Sequence, residues 1–169
     1  MNADPPRLYY RPMPVIEEGR KAPSFSLPDQ HGTVHTLADY AGRPLVLYFY
    51  PKDDTSGCTK EACTFQETLP KFDTSRAAVL GVSVLGTDSK AKFAKKYGLS
   101  FPLLADEDHA VADRYGAWQQ KSMYGRKYMG IARITYLIGP DGTVVKRWDA
   151  VKPAEHAAEV LEAVKALKG

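Results

Sequence analysis

The chain has 169 residues, of which 44% are hydrophobic and 25% charged, and it carries a formal charge of +3. This is the length of one domain able to bury a core, with the composition of an ordinary globular protein. Lysines and arginines are spread along the chain, and the apolar run at residues 45–50 is far shorter than the roughly 20 residues that cross a membrane, so neither a nucleic acid nor a membrane is an expected partner.

Residues 1–20 hold Pro5, Pro6, Pro12 and Pro14. Proline fixes φ and lacks an N–H, so this stretch reads as an extended arm ahead of a domain over residues 21–169. No apolar run follows Arg7 and Arg11, which argues against a secretory signal and for the reducing cytosol. Residues 45–50 form a continuous apolar and aromatic run that suits a strand buried on both faces, and Pro51 ends it. A helix is expected from Gly57 to about Lys71, stopped near Pro70. Residues 77–85 make a second strand. Asp88 is placed as the cap of a helix through Tyr97, with Gly98 at its end. A short strand follows at residues 101–104. Asp106 then caps a helix with Glu107 and Asp108 in its first turn and Gly116 closing it. Residues 131–138 read as a strand, Gly139-Pro140-Asp141-Gly142 as a turn, and residues 143–148 as the returning strand of a hairpin. Pro153 opens the last helix, along which Ala157, Val160, Leu161, Val164 and Leu167 form one apolar stripe. This order predicts an α/β sandwich with a mixed sheet.

The chemistry centres on two cysteines. Cys58 follows a strand and a turn, at the start of the expected helix. Unpaired N–H groups and the dipole there favour an anion, hence the thiolate, which is the nucleophilic form. Its neighbours Thr55, Ser56, Gly57, Thr59 and Lys60 are small, polar or charged, which speaks against an inert core cysteine. Cys63 lies in the same expected helix. Over that spacing a regular helix rises about 7.5 Å and turns about 500°, leaving the side chains about 140° apart. A disulfide wants Cα atoms within about 7 Å and converging Cβ vectors. Either the two never pair, or pairing unwinds the first turn and more. On the residues alone, Cys63 reads slightly better as a helix-face core residue beside Ala62 and Phe65. With His31, His35, His109 and His156 scattered, no ligand-spaced set forms, and neither a metal nor a cofactor is expected.

At these residues the chain resembles the peroxiredoxins, and most of all their bacterioferritin-comigratory-protein or PrxQ branch. The family's P-x-x-x-T-x-x-C element is present as Pro51, Thr55 and Cys58, and the wider run over residues 48–63 is close to the branch's usual wording. Residues 21–30, 104–109 and 130–138 extend the likeness, which covers roughly residues 20–168. The resemblance implies a thioredoxin-like fold and a peroxidase of hydrogen peroxide and organic hydroperoxides. It implies that Cys58 is the peroxidatic cysteine and becomes a sulfenic acid. Thr55 would hydrogen-bond the peroxide oxygen and the thiolate, and Pro51 would shield the site and shape the turn. Arg133 would stabilise the thiolate and polarise the peroxide, with Glu61 holding it. Cys63 would resolve the sulfenic acid as an intramolecular disulfide after local unfolding, and thioredoxin or a similar dithiol would reset it. A resolving thiol in the same chain leans to a monomer.

The chain departs from the branch at Phe65-Gln66-Glu67, where Phe-Arg-Asp is frequent, and in a lengthened segment at residues 83–88. Its arm is also long. Two other functions compete. A thiol–disulfide oxidoreductase on the same fold would carry C-x-x-C and a proline before the facing strand, whereas this chain has C-x-x-x-x-C and places Arg133 there. A redox sensor or chaperone-like protein would need the same exposed thiolate, and only sustained turnover separates it from a peroxidase.

Overall fold

Alternation of side chains along one buried strand organises the molecule, a computed structural model that describes residues 13–167. The other residues of the expected arm, 1–12, lie outside the described residues. In chain order the strands are β1 (Ser26–Pro28), β2 (Val34–Thr36), β3 (Leu45–Phe49), β4 (Ala78–Ser83), β5 (Leu103–Ala105), β6 (Trp118–Met123), β7 (Arg126–Ile131), β8 (Ile134–Ile138) and β9 (Val144–Trp148). The helices are α1 (Ser56–Thr74), α2 (Thr87–Tyr97), α3 (Ala110–Arg114) and α4 (His156–Ala166). The main sheet has the order β5-β4-β3-β8-β9. β3, β4 and β5 run parallel, while β8 is antiparallel to both β3 and β9. The mixed sheet expected from the sequence is therefore present, with two additional hairpins, β1–β2 and β6–β7.

Because side chains alternate across a strand, β3 feeds two cores. Leu45, Leu47 and Phe49 pack with Val111 and Ala112 of α3, Tyr115 and Tyr136. Val46, Tyr48 and Tyr50 face the other way, onto Phe65 and Phe72 of α1, Phe93 of α2, and Val160 and Val164 of α4.

Several expected boundaries move. Pro70 does not stop α1, which continues to Thr74. The proline faces solvent, so its ring and missing N–H disturb only the outer side, while Phe72 keeps the last turn anchored in the core. Asp88 is not the cap of α2; Gly86 occupies that position, with Asp88 inside the first turn. α3 begins after His109, later than Asp106 would place it. The capping chemistry of Asp106 nevertheless survives, since its carboxylate accepts from the N–H groups of Val111 (3.2 Å) and Ala112 (2.7 Å). The β6–β7 hairpin was not expected.

Residues 13–20 are packed on the domain. Val15 and Ile16 lie against the α3-side core, the Ile16 N–H donates to the Tyr136 hydroxyl, and Gly19 and Arg20 exchange backbone bonds with Val144. This contact needs a glycine beneath it. Gly116 has φ +72°, and a Cβ there would sit 2.5 Å from the Val15 backbone nitrogen. Gly116→Ala should therefore cost about 2 kcal/mol or more, from backbone strain and overpacking. A thermal melt, with proteolysis reporting release of residues 13–20, checks this. An unchanged melt and cleavage pattern would refute it.

Candidate active site

The β3–β8 register sets the site. Phe49 pairs with Ile134, so Arg133 lies beside the end of β3, where the chain turns through Pro51 towards α1. Its guanidinium bridges two groups on α1: Nη2 donates to the Cys58 sulfur at 3.5 Å, and Nη1 donates to Glu61 Oε1 at 2.8 Å. Cys58 and Glu61 are one helical turn apart and so share a face. Cys58 is 1% exposed and Glu61 fully buried. Gly57 makes room for the bridge, since a Cβ there would come within 3.1 Å of Arg133 Nη2.

Burial pushes the Glu61 carboxyl up to about 7, against the pull of Arg133, and its Oε2 has no hydrogen-bond partner among the described residues. For Arg133 burial is the largest influence and disfavours the charge, but Glu61 and Cys58 outweigh it and hold the guanidinium above its ordinary value. Beneath lies His156, pushed down to about 4 by burial and by Arg133, with Nε2 on the Thr135 hydroxyl at 2.8 Å. These two groups give opposite pH dependences. The Glu61 contribution is fully present below its unfolded value of 4.5 and is lost as pH rises through about 7. The His156 contribution is present above 6.5 and is lost as pH falls through about 4. Between these limits they oppose each other in the wild type. Denaturation midpoints of Glu61→Gln should therefore fall more steeply than the wild type as pH drops through that window; parallel curves would refute the assignment.

The remaining sequence candidates take distinct places. Thr55 is the N-cap residue of α1, exposed, and its hydroxyl donates to the Lys52 carbonyl at 3.0 Å. Pro51 is half-buried at the start of the turn. Cys63 is a half-buried free thiol on α1, pushed up by burial and by the negative charge of Glu67. Arg133, Glu61 and Cys58 are thus brought together, with Cys63 held on the same intact helix. Gln66, where the branch often has arginine, bonds Ser100 through its side-chain amide and accepts from the Ser100 N–H. Lys121 of β6 carried no sequence signal. It is half-buried, its stem runs over Gly130, and its charge acts on both Arg133 and Cys58.

Residues 19–147 match the AhpC/TSA family. The chain belongs to this family. It is 43% identical to Peroxiredoxin Bcp of Bacillus subtilis (strain 168) over 151 residues, covering 89% of this chain and 96% of the relative. Among solved structures it is similar to a mutant of Xylella fastidiosa PrxQ, with 38% identity and a TM-score of 0.86 over 91% of this chain and 98% of the other. It is also similar to the Xanthomonas campestris bacterioferritin comigratory protein, whose structures concern its alkyl peroxide reduction activity. There the identity is 44% and the TM-score 0.80, over 84% and 90% of the two chains. The fold of this peroxiredoxin is accordingly thioredoxin-like, its branch is Bcp/PrxQ, and its activity is that of a thiol peroxidase. Among the described residues, no helix is long and apolar enough to cross a membrane.

Proposed function

We propose that this peroxiredoxin reduces hydrogen peroxide and organic hydroperoxides, alkyl peroxides among them, at Cys58, and is reset through an intramolecular disulfide with Cys63. The observation that carries the reading is the Arg133 guanidinium bridging the Cys58 sulfur and the buried Glu61 carboxylate at the start of α1. The Cys58 thiolate attacks the terminal peroxide oxygen. The O–O bond breaks, Cys58 becomes a sulfenic acid, and the leaving oxygen takes up a proton to depart as water or an alcohol. Arg133 stabilises the attacking thiolate and the charge that grows on the leaving oxygen. Glu61 fixes its orientation. Thr55, now bonded to Lys52, reaches the peroxide oxygen by a side-chain rotation, and Pro51 keeps water from the turn. Cys63 then attacks the sulfenic sulfur, forming the disulfide and releasing water. A dithiol such as thioredoxin reduces that bond in the cytosol and is itself oxidised. With both thiols in one chain, a monomer suffices.

The test is steady-state peroxide consumption with thioredoxin and its reductase, then with glutathione. Many turnovers per chain with thioredoxin are expected. A single turnover that then stops would reduce the protein to a sensor, and turnover with glutathione alone would overturn the dithiol step. Arg133→Met should slow oxidation of Cys58 by on the order of 100-fold, the typical effect of removing one preorganised donor from developing charge. Stopped-flow oxidation measures this, and a wild-type rate would make Arg133 a bystander.

A further inference from the structure

The turn between β3 and α1 is fastened to α2 by both of its aspartates. Asp53 is buried, and its carboxylate accepts from Tyr50 (2.5 Å), Ser89 (2.7 Å) and Lys90 (3.3 Å), with Ser83 at 3.4 Å. Lys90 is fully buried, donates to the Ser83 hydroxyl at 2.7 Å, and lies over the Tyr50 ring. Asp54 follows with a left-handed φ of +59° and bonds Lys96 and the Tyr97 hydroxyl, also on α2. Thr55 then takes the N-cap position of α1, without a capping bond from its side chain, and Cys58 sits in the first turn.

A buried, fully bonded ion pair contributes little net stability compared with apolar residues of the same volume. Burial lowers the Lys90 pKa, with Asp53 opposing, so the charge is kept against a desolvation cost. In some proteins such a pair is kept because it fixes one conformation. Here the conformation is that of the segment leading directly into Cys58. The Arg133 that Cys58 must meet comes from a different part of the chain, the residue just before β8. The Cys58–Arg133 alignment therefore depends on how firmly the turn is held, and a displacement of about 1 Å at a reacting atom can cost on the order of 100-fold.

We propose that Lys90, acting through Asp53, is a positioning residue for the peroxide step, locking the turn before α1 so that Cys58 stays against the Arg133 guanidinium. The proposal rests on Cys58 as the peroxide nucleophile. The clamp ends at Asp54, upstream of α1, so it need not open for Cys58 to reach Cys63. Its loss should appear in peroxide oxidation and not in the later reduction of the disulfide.

The experiment measures stopped-flow oxidation by hydrogen peroxide in a Cys63→Ser background, where no disulfide can form within the chain. Lys90→Met and Asp53→Asn should each slow oxidation about fivefold or more, and the double variant should be no slower than the worse single one, because both act through one pair. Should a single variant leave a buried charge unpaired and fail to fold, the double variant, which leaves none, decides alone. Reduction of the oxidised protein by dithiothreitol, measured with Cys63 present, should keep its wild-type rate. A double variant that melts lower but oxidises less than about fivefold more slowly overturns the proposal, as do effects that multiply in the double variant or slow both steps alike. If Cys58 of the parent does not oxidise at all, it is the peroxidase assignment that fails instead.

Discussion

Cys58→Ser should reduce peroxide consumption to the uncatalysed background. The peroxide oxygen needs a thiolate, and a serine hydroxyl beside Arg133 stays protonated and weakly nucleophilic. The bridge to Glu61 would survive, because Nη1 makes that bond independently of the sulfur. The variant therefore tests the sulfur rather than the fold. Cys63 offers no substitute. It is half-buried, and both its burial and the charge of Glu67 push its thiol up, away from the reactive form. Among the described residues, it also has no cation bonded to it of the kind Arg133 supplies to Cys58. Coupled peroxide consumption and mass spectrometry of the peroxide-treated protein check this together. Retention of more than a few per cent of the rate, or oxidation of Cys63 at the wild-type pace of Cys58, would transfer the chemistry elsewhere.

Local patterns made much of this site legible and left its long-range partners hidden. The strand, the turn and the start of α1 are contiguous, so Cys58 could be placed at a helix start from the residues alone. Arg133 could not. Its contact spans 75 residues and depends on the β3–β8 register, so only the family likeness pointed to it. Lys90 stood among Lys92, Lys95 and Lys96 and reads as one more solvated cation. Yet it lies three and four residues before the buried Phe93 and Ala94, so helical periodicity already put it on the inner face. Asp88 and Asp106 both read as caps in the sequence, yet Gly86 and His109 hold those positions; only Asp106 keeps capping bonds, to the N–H groups of Val111 and Ala112. The β6–β7 hairpin carries no clear signal because its strands are exposed or half-buried, with only Ile131 buried, and their apolar residues follow no clean alternation. Its Tyr124-Gly125 turn, with both residues at positive φ, lacks the usual Asn-Gly or Asp-Gly signal.

Cys63→Ser should oxidise at Cys58 with near wild-type speed, fail in the thioredoxin-linked cycle, and accumulate over-oxidised Cys58 at high peroxide. Both cysteines lie in the regular helix α1, where this spacing puts the Cα atoms roughly 8.7 Å apart, beyond the reach of a disulfide. The bond therefore requires the start of α1 to unwind, and that end is weakly held. No side chain caps it, no acid occupies its first turn, and Gly57 is a poor helix former. Unwinding also releases the buried Glu61, whose Oε2 has no partner among the described residues, and so relieves a desolvation cost. The same motion exposes Cys63 and removes the burial that suppresses its thiolate, so reach and reactivity arrive together. Further along, Phe65 stacked on Tyr48 in the core should stop the unwinding. In the oxidised wild type, mass spectrometry should find a Cys58–Cys63 bond, and hydrogen exchange should quicken over residues 57–64 but not beyond Phe65. The same stretch should stay protected in oxidised Cys63→Ser. An intact, protected helix in fully disulfide-bonded protein would exclude the unwinding step, and undiminished thioredoxin-linked turnover in Cys63→Ser would leave a peroxidase that works with one cysteine.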